Sequence, residues 1–138
     1  MERIKKKIRY IYWLGANVQY RYFGERGDNG IYIITMLIIT VLLNIFAFFR
    51  VLFYGHVSLG DTTVIEKLAV VVIVLLIYHI ISKSFIGIPI KDNEEFKHVS
   101  KNKRIFHTVL LYVFWAFLFY VFLVIMSPTF HPRQLKFW

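Results

Sequence analysis

The chain has 138 residues, a formal net charge of +9 and no cysteine, with 58% of its residues apolar and 19% aromatic. That length holds one domain, and a soluble domain so short could not hide this much apolar surface, since about 45–50% is usual. Disulfides, thiolate metal sites and cysteine nucleophiles are excluded, and the positive charge, gathered beside apolar runs, suits membrane orientation better than nucleic-acid binding.

Residues 1–30 begin with Arg3, Lys5, Lys6, Lys7 and Arg9. Ile4, Ile8, Ile11, Leu14 and Val18 recur at helical spacing, with Lys5, Lys6 and Arg9 largely opposite them. Tyr10, Tyr12, Trp13, Tyr20 and Tyr22 are side chains that favour headgroup depth. The segment predicts a basic amphipathic interfacial helix lying on an anionic leaflet, each Lys or Arg adding about 1 kcal/mol of attraction. A helix that docks on a partner is the alternative. A signal peptide is disfavoured, because Gln19, Arg21, Glu25, Arg26 and Asp28 interrupt any apolar core and no small-residue cleavage site follows. Gly24, Gly27 and Gly30 then predict an elbow, with Asp28 or Asn29 capping the next helix. The elbow lacks the Gly-Lys-Ser/Thr ending of a phosphate loop.

Residues 31–54 predict the first transmembrane helix. Asn44 lies about two-thirds of the way across at 1.5 Å per residue. Its amide needs a partner, either another helix, another copy of the chain, or its own helix backbone. Arg50 sits at the far end, where it either snorkels or pairs with Asp61 or Glu66 at the outer face.

After the short connector 55–63, residues 64–86 predict the second transmembrane helix. Thr63 and Glu66 have the spacing of a capping box. His79 and Lys83 are four apart on one face, the most polar patch in any span. Gly87 and Pro89 end the helix. Residues 91–104, KDNEEFKHVSKNKR, read as a solvated charged loop, or as a short helix with Phe96 and Val99 against the leaflet.

Residues 105–126 predict the third transmembrane helix: 22 residues without formal charge and with eight aromatic side chains. They reach about 30 Å, the thickness of a bilayer's hydrocarbon core. Tyr112, Trp115, Phe119, Phe122 and Met126 form a stripe wide enough for an interhelical seam. His107 lies on the same side of the membrane as His79 and Lys83. Ser127 and Pro128 stop the helix, and residues 127–138 read as an outer-face interfacial tail.

The fold class is therefore an all-α membrane protein, with three transmembrane helices preceded by a basic amphipathic helix, in a single domain. Seven Lys or Arg in the N-terminal segment and five in the loop 91–104 place both in the cytoplasm and the C-terminus outside. The expected location is the cell membrane, multi-pass, with a composition that favours a bacterial inner membrane. The five histidines lack ligand spacing and no catalytic constellation is evident, so neither an enzyme nor a cofactor site is expected. The expected partners are anionic lipid headgroups and other membrane subunits or copies of the chain, not nucleic acid. Two roles remain: a non-catalytic structural or accessory subunit of a larger membrane complex, or a homo-oligomeric channel or membrane-disrupting effector. In the second, Asn44, His79, Lys83 and His107 would line a lumen or a subunit seam.

Overall fold

A computed structural model describes residues 2–18, 22, 26–54, 62–85 and 87–127. Among the described residues four long helices are bounded: α1, Glu2–Val18; α2, Asp28–Tyr54; α3, Val64–Phe85; and α4, Lys101–Met126. No strand occurs among the described residues. The helices α2, α3 and α4 are each long and apolar enough to cross a membrane. They alternate in direction along the chain, so α2 and α4 run parallel and α3 runs against both. This gathers α1, the start of α2, the end of α3, residues 87–100 and the start of α4 at one end, here the basic end. Arg50, Glu66 and Met126 mark the far end.

The helix α2 is the hub. The other three all pack on it, and α1 also packs on α4. The long apolar run from Ile31 explains α2 itself, but its start is set locally. Gly27 takes a positive φ of 68°, which costs an L side chain and not glycine. Its carbonyl accepts from the amides of Gly30 and Ile31. Asn29 does not cap; its side-chain amide donates to the carbonyl of Gly15 at 2.6 Å. The box predicted for α3 forms. The Thr63 amide donates to Glu66 Oε2 at 2.7 Å and the Glu66 amide to Thr63 Oγ1 at 3.2 Å, which satisfies two otherwise free donors. The α4 helix starts four residues before its apolar run, with the Ser100 side chain accepting from the amide of Lys103. It ends at Ser127, whose amide bonds the Val124 carbonyl.

The largest core lies at the basic end rather than among the spans. The second half of α1 is enclosed: Tyr12, Trp13, Leu14, Gly15 and Ala16 are all buried. With them pack Ile31 and Ile34 of α2, Ile81 and Phe85 of α3, and Ile90 and Phe96 of the connecting segment. This differs from the expected picture of Tyr12 and Trp13 at headgroup depth, since both rings lie inside protein. Tyr12 stacks on Phe85 with centroids 4.6 Å apart, and Trp13 lies 5.5 Å from Phe96. The expectation for 91–104 also changes. Residues 91–99 form consecutive turns rather than a helix, and Phe96, 3% exposed, faces α1 instead of a leaflet. Small residues explain how α1 comes so close. A Cβ on Gly15 would stand 3.1 Å from the Gly30 Cα, and one on Gly30 would meet the Tyr12 carbonyl oxygen and ring.

Alanine for glycine inside an exposed helix usually stabilises by about 1 kcal/mol. At Gly30 the sign should reverse, because overpacking costs about 1–3 kcal/mol. Gly30→Ala is expected to lower the thermal midpoint in detergent micelles; an unchanged or raised midpoint would refute the close crossing.

Candidate functional site

Two polar loci stand out, one between spans and one at the basic end. Between the spans, Thr40, Asn44 and Ala47 of α2 face Trp115, Leu118, Phe122 and Met126 of α4. The Asn44 amide nitrogen donates to the Thr40 carbonyl at 2.8 Å and to the Leu118 carbonyl of α4 at 3.0 Å. Two of the three options raised by the sequence, a bond to its own helix and a bond to another, are thus met by the one amide nitrogen. Asn44 Oδ1 is buried and accepts from no described donor. One turn away, Trp115 Nε1 donates to Thr40 Oγ1 at 3.1 Å, and that hydroxyl donates to the Met36 carbonyl at 2.7 Å. In hydrocarbon such groups have no water to fall back on, so the two bonds that cross between α2 and α4 act as interhelical glue. Ala47, Phe122 and Met126 close the seam below them with full burial of Ala47. The aromatic stripe of α4 is therefore a seam along Trp115, Phe122 and Met126, while Tyr112 and Phe119 lie at its exposed edge.

At the far end Arg50 reaches Glu66 at 3.3 Å, and its guanidinium stands 5.8 Å from the Phe46 ring centroid. The Arg50 side chain is buried and Glu66 half-buried. The pair joins α2 to α3 where the sequence expected a staple. Asp61, the other candidate partner, lies outside the described residues, as does the tail from residue 128.

The basic end carries a denser network. Arg9 makes a two-point contact with Glu95, Nε to Oε2 at 2.9 Å and Nη2 to Oε1 at 3.0 Å. This hydrogen bond holds the Glu95 carboxyl below its ordinary range and raises the Arg9 guanidinium. The Tyr10 hydroxyl lies 2.7 Å from His107 Nδ1, and burial pushes that phenol up. Trp13 Nε1 donates to the Ile90 carbonyl at 2.9 Å. Arg104 donates to Asn17 Oδ1 at 3.3 Å and stands 5.9 Å from the Trp13 ring. Asn93 shapes the turn that presents Glu95: its amide donates to the Pro89 carbonyl, and its Oδ1 accepts from the Glu95 amide, an Asx turn.

His79 and Lys83 are exposed on α3. No hydrogen bond or ring contact joins either of them to His107 among the described residues, and His107 is engaged by Tyr10. Sequence reasoning missed Thr40 and Glu95; it placed Trp115 in a candidate seam without its bond to Thr40, and Trp13 at headgroup depth. Thr40 lies one helical turn before Asn44, which was the available signal. No group of three His, Asp or Glu among the described residues is arranged to hold a metal ion. Comparison with protein-family models, curated proteins and solved structures finds no match to this chain.

Thr40→Val and Trp115→Phe should each destabilise the α2–α4 pair by about 0.5–1.5 kcal/mol, the range for bonds between membrane helices. The double variant should lose less than the sum; strict additivity in micelle unfolding would show that the two side chains do not bond. For Glu95 the lowered carboxyl means its stabilising contribution is complete above its ordinary value of about 4.3 and is lost as pH falls through the lowered one. The stability gap between wild type and Glu95→Gln should therefore stay level from pH 8 to about pH 5 and shrink only below about pH 4. A gap already closed at pH 6 would contradict this.

Proposed function

We propose that this chain is a non-catalytic integral membrane protein that serves as a structural or accessory subunit of a larger membrane complex. The observation that carries this reading is the way polar groups in mid-span are spent. Thr40, Asn44 and Trp115 bond to one another or to backbone at the α2–α4 seam, which supports a packing role for them over the lining of a path. One cleft beside α2, about 220 Å³, lies against α3 and is bordered by Leu42, Phe46, Ile73 and Ile77. The helix α3 packs chiefly on α2, with almost all of its surface turned outward. Lipid or a neighbouring subunit covers that apolar surface.

The proposed topology puts the basic end in the cytoplasm, following the excess of Lys and Arg there, with the C-terminus outside. In this placement the exposed N-terminal half of α1, with Ile4 and Ile8 uncovered, lies against the leaflet while its C-terminal half is held by the spans. The competing reading is a homo-oligomeric channel or membrane-disrupting effector. It is favoured by one observation, the outward-facing His79 and Lys83 on α3, which a ring of copies would turn towards a shared lumen.

Native mass spectrometry of the tagged protein, gently extracted from its own cells, separates the two. The expected result is a stoichiometric complex with an unlike membrane protein, and no conductance when the chain alone is placed in liposomes. A single homo-oligomer that conducts, and loses conductance on His79→Leu while still inserting, would replace the subunit reading with the channel.

A further inference from the structure

The basic end holds two clefts of opposite character. The first, about 460 Å³, is bordered by Arg3, Lys5, Lys6 and Arg9 but also by Glu2 and Glu95, so its charge is largely balanced. The second, about 220 Å³, runs between α1 and α4 and is bordered by Lys6, Lys7, Tyr10, His98, Lys103 and His107. No carboxylate borders it. Two further features add to its positive potential. The first turn of α4 contains Lys101, Lys103 and Arg104 and no acidic residue, although a helix N-terminus is itself the positive end of the dipole and disfavours cations. On the connecting segment, the Glu95 carboxylate is committed to Arg9. An anion in this groove would offset both the clustered lysines and the cations at the start of α4.

The groove also adjoins lipid-facing surface. On α4, Lys103, His107, Leu110 and Phe114 follow one another at spacings of four, three and four, and so share a face. Leu110 and Phe114 are exposed. A charged head in the groove would continue directly into an apolar track one and two turns further on.

We infer that the groove between α1 and α4 is a binding site for the phosphate head of one anionic phospholipid, held by Lys6, Lys7 and Lys103, with its acyl chains along Leu110 and Phe114. The site needs only that the basic end meets a leaflet, and it stands whether the chain is a subunit or an oligomer.

The test is native mass spectrometry of the purified chain released from nanodiscs of equal phosphatidylcholine and phosphatidylglycerol. The comparison is among wild type, Lys7→Gln/Lys103→Gln, and a control pair, Lys5→Gln/Lys97→Gln, which removes the same charge outside the groove. One phosphatidylglycerol per chain is expected to stay bound to wild type and to the control. In the groove pair its affinity should fall about tenfold or more. Inorganic phosphate at millimolar concentration should fail to displace it, since it lacks the apolar track. Thermal midpoints in phosphatidylcholine alone should agree among the three proteins, which checks that each folds. An equal loss in both pairs would mean diffuse attraction and no site. Displacement by inorganic phosphate would mean a soluble-anion site, and no preference over phosphatidylcholine would mean none at all; each overturns the proposal.

Discussion

The close crossing of α1 over the start of α2 is the contact on which the basic end depends. Gly15 and Gly30 allow backbone to approach backbone, and the approach is tied by the Asn29 side chain on the Gly15 carbonyl. From that fixed point Tyr12 reaches Phe85 of α3 and Trp13 reaches the Ile90 carbonyl. Arg9 and Tyr10, one turn back, then meet Glu95 and His107. One helix thus touches every element at this end. Without it, the ends of α2, α3 and α4 would lose the side chains that bridge them and keep contacts such as the Tyr32–Tyr78 stack. Lipid supplies no hydrophobic force that drives helix to helix in their place.

Much of this was legible in the sequence and some was not, for physical reasons. Long uncharged runs announced the three spans, since a bilayer's thickness translates directly into residue count. The capping box at Thr63 and Glu66 was legible because both partners are local. So was Arg50 with Glu66, where a short connector limits how far two helix ends can separate. The placement of α1 was only half visible. Its Ile4, Ile8 and Ile11 stripe suggested a helix on a surface, but burial of Tyr12 to Ala16 depends on what the rest of the chain wraps around them. The overlooked sign was Gly15-Ala16 within an aromatic run, small side chains of the kind that mark close helix crossings. Phe96 misled similarly: its apolar character was read correctly, but the surface it covers is 80 residues away in sequence and no period encodes it.

The distribution of polarity separates two tasks. Inside the spans, Thr40, Asn44 and Trp115 bond to one another or to backbone, which fixes how α2 and α4 sit. At the basic end they are many, and there the pairing is selective. Arg9 and Arg104 are drawn inward to Glu95 and Asn17, whereas Lys6, Lys7 and Lys103 remain exposed around a groove. Arginine's planar fork suits fixed two-point contacts, and lysine's mobile point charge suits a phosphate.

The amide of Asn44 sets more than an affinity between two helices. Its hydrogens are divided between Thr40 of its own helix and Leu118 of α4. Sliding α4 by one residue would carry the accepting carbonyl about 1.5 Å along the axis and about 100° around it, out of reach. The depth of α4 relative to α2 is thus latched from the interior and not by the flanking charges alone. No such latch joins α3 to α2 in mid-span among the described residues; they are joined near their ends by Arg50 with Glu66 and by the Tyr32–Tyr78 stack. When bilayer thickness changes, α2 and α4 must therefore lean as one body, leaving α3 as the helix whose tilt takes up the mismatch.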